Sequence, residues 1–129
     1  MQTISIHALS GAALDWAIAQ TIHLNLRHDP MGFKTGSEAG WWIWDNANPR
    51  FPRYARIGTD FSPSTQWAFA GPLMDDINVS SLAPINEPLW RSMVNPGFEC
   101  SGETRLIAAM RCYLLHQVGD VISIPEELL

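Results

Sequence analysis

Glu103-Thr104-Arg105-Leu106-Ile107-Ala108-Ala109-Met110-Arg111-Cys112-Tyr113-Leu114-Leu115-His116-Gln117-Val118 is the stretch whose reading decides the fold. Leu106, Ile107, Met110, Tyr113, Leu114 and Val118 recur at helical spacing and make one broad apolar stripe. Either Ser101 or Thr104 can cap the first turn, because a hydroxyl there accepts a bond from an orphan N–H. Gly119 suits a left-handed stop. The opposite face carries Arg105, Ala108, Cys112, Leu115 and His116, too apolar for full solvation. It is expected to meet a second layer or another copy of the chain. A homo-oligomer through this helix or through the tryptophan-rich region is therefore expected.

Beyond the helix, Val121-Ile122-Ser123-Ile124 reads as a short strand ended by Pro125. At the other end, residues 3–7 alternate weakly and read as an edge strand. A first helix follows, with Ser10 as cap and Leu9 stapled over Leu14. Leu14, Ala17, Ile18, Thr21 and Ile22 share one of its faces. Trp16 lies on another and is expected to pack on a neighbouring loop or to line a pocket. Residues 28–60 read as irregular, rich in Gly, Pro and Asn, around the run Trp41-Trp42-Ile43-Trp44. As a strand, that run points Trp42 and Trp44 one way and Trp41 and Ile43 the other, which suits a strand between two layers. Ser62-Pro63-Ser64-Thr65 reads as a turn or helix entry. Gly71-Pro72 is expected to break whatever residues 67–70 form. Pro84, Pro88 and Pro96 argue against long regular elements over residues 78–102. The expectation is one α+β domain over residues 1–129: two helices packed on a small, mostly antiparallel sheet, with a long Trp-rich irregular region.

Composition narrows the function classes. A chain of 129 residues has room for one domain and a real core. A net charge of −5 argues against a non-specific duplex DNA binder, since phosphate contacts dominate that affinity. Nucleic acid is an unexpected partner on this ground. Two cysteines cannot staple a secreted scaffold, and no signal peptide or membrane-length apolar run is legible. A cytoplasmic protein with reduced thiols is expected.

Three pieces of sequence together resemble the phage NinX-like family. They are Leu9-Ser10-Gly11-Ala12-Ala13-Leu14-Asp15-Trp16-Ala17, then Ser62-Pro63-Ser64-Thr65-Gln66-Trp67-Ala68 with Gly71-Pro72-Leu73, then Leu106-Ile107-Ala108-Ala109-Met110-Arg111-Cys112-Tyr113 with Gly119-Asp120 and Ile124-Pro125-Glu126-Glu127. They cover roughly half of the chain in the family's order. The sequence departs from the pattern at Gln66, where an Asp is expected, and at Phe69, where a polar residue is expected. Arg105 stands where a Pro is common. The resemblance implies a phage or prophage accessory protein acting in the cytoplasm of its bacterial host, and no particular chemistry.

Catalytic patterns are not legible. No H-E-x-x-H appears, the cysteines lie twelve apart without zinc-finger partners, and Asp75-Asp76 reads as a solvated turn. The hydroxyls at 59–65 lack a nucleophile elbow, and no phosphate loop is present. Neither metal nor cofactor is expected. The best functional candidate is the segment 41–67. Trp41, Trp42, Trp44, Tyr54 and Trp67 offer flat faces to a base. Arg50, Arg53 and Arg56 offer forked donors, and Ser62, Ser64 and Thr65 offer short hydroxyls to phosphates. The plainer reading makes the tryptophans core and the arginines a solvated edge. Taken as a site, the segment points to a binding protein that captures a small anionic ligand, such as a signalling nucleotide of host defence. The alternatives are a module docking a host or phage protein, and an uncharacterised nucleotide-acting enzyme.

Overall fold

The computed structural model describes residues 1–29, 40–44, 54–77, 79–86, 89–94 and 98–128. In order these form β1 (Gln2–Ser5), a 3-10 turn (Ile6–Ala8), α1 (Gly11–Thr21), β2 (Leu26–Asp29), β3 (Gly40–Trp44) and β4 (Tyr54–Arg56). Then come α2 (Trp67–Ile77), β5 (Val79–Asn86), β6 (Leu89–Val94), β7 (Phe98–Gly102), α3 (Arg105–Gln117), β8 (Val121–Ile124) and a 3-10 turn (Glu126–Leu128). The class is α+β, as the sequence indicates. The strands fall into three antiparallel sheets, β1-β8, β2-β3-β4 and β5-β6-β7.

Helix α3 organises the rest. Thr104 caps it, its hydroxyl accepting from the Ile107 N–H at 3.1 Å, so of the two sequence candidates it is Thr104 and not Ser101 that does so. Gly119, with φ of 108°, lets the chain turn out of the helix. From the apolar stripe, Leu106, Met110, Tyr113 and Leu114 are buried in the common core, while Val118 is exposed. On the other face Ala108 and Cys112 are fully buried too. The layer over that face is within the chain: α3 packs across β6 and β7 and also touches α1 and α2. Small residues permit the approach. A Cβ added at Gly102 would lie 2.6 Å from the backbone nitrogen of Ala108 and 2.8 Å from Cγ2 of Ile107.

Arg111 ties this helix to two distant places. Its Nε donates to the Leu9 carbonyl at 2.7 Å and its Nη1 to the Ser101 carbonyl at 2.8 Å. Leu9 immediately precedes the start of α1, so one guanidinium fixes three segments. Burial holds its pKa below the usual arginine value. Nearby, Cys100 and Cys112 are buried and form no disulfide. The neighbouring Cys112 thiol and then burial push the Cys100 thiol up, which keeps it protonated.

The region expected to be irregular carries β3 and β4 within a three-stranded sheet, a third helix joins the two expected, and two proline-bearing segments also differ from expectation. Helix α2 runs through Gly71-Pro72 instead of ending there. Pro72 is its sixth residue, so the missing N–H deprives only the carbonyl of Ala68. The helix is held by buried Ala70 and Leu73 and by Phe69, whose ring lies 5.0 Å from that of Phe61. Strand β5 extends over eight residues despite Pro84. It pairs with β6 alone, and the register shifts between Pro84 and Asn86, which is where an edge strand tolerates proline. The Trp strand forms as expected. Ile43 is fully buried, and Trp41, on the same face, meets Trp16 edge-on at 5.8 Å and 77°.

Gly102→Ala is expected to lower stability by about 1–3 kcal/mol, because the clash is with backbone and the first turn of α3 must shift. Chemical denaturation checks this; an unchanged midpoint would show that α3 is free to slide over β7.

Candidate ligand site

The site is built where the entry to α2 meets the start of α3. Residues 62–65 form a hydroxyl-rich turn. Thr65 Oγ1 donates to Ser62 Oγ at 2.8 Å, and the Thr65 and Gln66 N–H groups both bond the Ser62 carbonyl. Ser62 and Ser64 are buried. The turn is anchored from behind by Asp15 of α1, whose carboxylate accepts from the Ser64 N–H at 2.9 Å. Asp15 is 1% exposed and is the one charged residue of its helix. Burial raises its pKa to about 6, against the opposing pull of the Ser64 backbone and side chain. The Ser64 hydroxyl lies close enough to that carboxylate to exert this pull. It makes no well-formed hydrogen bond among the described residues, and is best described as a weak neighbour.

In front of the turn lies a cavity of about 300 Å³, lined by Ser64, Thr65, Trp67, Thr104, Arg105 and Leu106. Trp67 is 48% exposed, unusual for an indole in so apolar a chain. The Arg105 guanidinium carbon stands 5.9 Å from the centroid of the Trp67 ring and 5.0 Å from that of Trp90. It thus bridges two aromatic surfaces. The first turn of α3 carries no acidic residue, and Glu103 stands just before its cap. The cavity therefore combines a cation, flat apolar surface and the Thr65 and Thr104 hydroxyls.

Of the residues expected from sequence, Ser64, Thr65 and Trp67 come together here. Ser62 stands behind them, its hydroxyl occupied by Thr65. Trp41 and Arg56 line a different cavity, at the end of the β2-β3-β4 sheet. Trp42 pairs with Arg56 in the β3–β4 register and with Arg27 in the β2–β3 register, and Trp44 pairs with Tyr54. Arg50 and Arg53 lie outside the described residues. Sequence reasoning did not assign Arg105, Thr104 or Asp15 to the site. For Arg105 the signal was present, a charged residue at a position where the related pattern favours proline. For Asp15 it was the only charge between Leu9 and Ile22.

A cation, an indole face and two threonine hydroxyls thus meet at one cavity. Among the described residues no group of three or more His, Cys, Asp or Glu side chains is placed to hold a metal ion, and no helix is long and apolar enough to cross a membrane. The fold is that of a small α+β protein. The chain belongs to the Bacteriophage P22 NinX family, whose model matches residues 6–117. No curated protein matches it.

Asp15 generates a signed prediction. Its pKa is raised from 3.8 to about 6, so its contribution to stability is fully present below pH 3.8 and is lost as pH rises through 6. Asn at this position keeps an acceptor for the Ser64 N–H and removes the buried charge. Relative to the parent chain, Asp15→Asn is expected to gain about 1–3 kcal/mol of stability between pH 4 and pH 7.5. Denaturant titrations at the two pH values measure it; a relative loss over that interval would mean the carboxylate is net stabilised by its surroundings.

Proposed function

We propose that this phage protein captures a small anionic ligand with an aromatic ring, without turning it over. A signalling nucleotide of the bacterial host is the ligand class that fits best. The observation that carries the reading is the placement of Arg105 in a cavity walled by Trp67 and floored by hydroxyls. A base stacks on the exposed indole, which contributes about 1–3 kcal/mol. The guanidinium pairs a phosphate in a forked geometry, and the Thr104 hydroxyl, which only accepts among the described residues, donates to one of its remaining oxygens. The Ser64 N–H is already committed to Asp15, so the ligand takes its donors from side chains and from the first turn of α3. For a phage, a protein that binds such a signal stoichiometrically lowers its free concentration and so blunts the defence that depends on it.

A second reading rests on the same exposed indole. Trp67 at 48% exposure is also what a protein partner would use as an anchor.

Calorimetry with cyclic dinucleotides and ADP-ribose derivatives tests the proposal. Binding in the micromolar range or tighter is expected, weakened about tenfold or more by Arg105→Ala and by Trp67→Ala. Both side chains are exposed, so neither change is expected to unfold the chain. No heat with any nucleotide, together with one host protein retained stoichiometrically and lost in Trp67→Ala, would replace this reading with the partner-docking one.

A further inference from the structure

The second cavity, about 360 Å³, is not explained by the Arg105 site. It opens where the end of β3 and the turn after β4 approach the first turn of α1. On one wall the His28 ring stacks on Trp41, with centroids 4.8 Å apart and planes 16° from parallel. The Trp41 Nε1 donor in that wall is buried and has no hydrogen-bond partner among the described residues. Orphan donors of this kind call for an explanation in a packed protein. On the other wall Arg56 Nη1 donates to Thr59 Oγ1 at 3.3 Å, which orients the guanidinium.

The backbone keeps this space open. Gly40 has φ of 132°, a conformation that favours glycine, and it lies beside the Arg56 guanidinium, with Nε 3.5 Å from where a Cβ would stand. Gly58, with φ of 90°, is pressed against Ala12; a Cβ on it would lie 2.9 Å from the Ala12 Cβ. That contact brings the turn onto the first turn of α1. There Ser10 stands at the cap position with no side-chain capping bond, unlike Thr104 on α3. Opposing charge is close: Asp60 accepts from the Arg56 backbone N–H at 3.0 Å. That carboxylate is exposed and bound to main chain.

We propose that this cavity is a second, separate site, and that it takes a phosphate monoester with a flat apolar body. The Arg56 guanidinium and the Thr59 hydroxyl both line it, and a forked donor with a hydroxyl beside it suits a tetrahedral group with three oxygens. Ile57 and Leu128, with the edge of the Trp41–His28 stack, receive the apolar body. The inference goes beyond the capture of a ligand at Arg105 and does not depend on it.

The test is a titration of the full chain, followed by amide chemical shifts, with phenyl phosphate as probe and inorganic phosphate and phenol as separate arms. Saturable shifts are expected at Gly40, Gly58 and Thr59, with phenyl phosphate about tenfold tighter than either arm alone. Arg56→Gln is expected to weaken this binding about tenfold, and Thr59→Val to weaken it several-fold. The second variant also serves should the first fail to fold. Arg105→Ala is expected to leave these three shifts unchanged, which separates this site from the nucleotide site. The proposal is overturned by the absence of saturable shifts at the three amides, by binding that survives both variants, or by phenol binding as tightly as phenyl phosphate.

Discussion

The contact between the Asp15 carboxylate and the Ser64 N–H is the constraint on which the arrangement depends. It spans 49 positions of sequence and places the 62–65 turn against the buried face of α1. Without an acceptor there, the Ser64 N–H would be buried and unpaired, a loss of about 1–3 kcal/mol. The acceptor is a charged group in an apolar setting, so the same contact carries a desolvation penalty. An amide acceptor would meet the hydrogen-bonding need at lower desolvation cost. Retention of a carboxylate at this place sets the geometry of the turn strictly, and the turn in turn sets where Thr65 and Trp67 stand.

Arg111 plays the matching part on the other side of α1. Its two bonds reach the carbonyls of Leu9 and Ser101, so α3, the lead into α1 and the end of β7 move together. The three sequence pieces that mark the family are thus the pieces these contacts join. Asp15 and Leu9 belong to the first, Ser64 to the second and Arg111 to the third. Packing and these few hydrogen bonds join the three pieces into one unit. The cavity in front of Ser64 is a by-product of that packing: α2 and α3 are brought side by side, and their entries leave a gap between them.

How much of this was legible in the sequence depends on the range of the signal. Helix α3 was, because its apolar stripe is local and periodic, as was the strand of Trp41-Trp42-Ile43-Trp44. The pairing of β1 with β8 was legible as two short strands, though not as partners. Pro72 and Pro84 misled for one reason: a missing N–H matters only where a partner needs it. Pro72 removes a single bond from a helix whose apolar side is buried, and Pro84 sits on a strand paired to one neighbour. Ser64, Thr65 and Trp67 were legible by type, since hydroxyls and an indole are groups suited to phosphates and rings. Their convergence with Arg105 was not, because it is made by the meeting of α2 and α3, a contact between residues almost forty positions apart.

One departure of this chain from its family pattern bears on the cavity. Proline at the start of a helix is favoured because its fixed φ is already helical and its missing N–H is an orphan in any case. Arginine at position 105 gives up that preorganisation, and the Thr104 cap supplies a bond that holds the turn in its place. What is gained is a guanidinium lying against Trp67 and Trp90 at the cavity wall. Arg105 thereby adds a positive charge to the cavity rim, in a chain whose total charge is −5. Behind that rim Asp15 holds the 62–65 turn and Arg111 holds the lead into α1, so the frame of the cavity is fixed by contacts that Arg105 does not share.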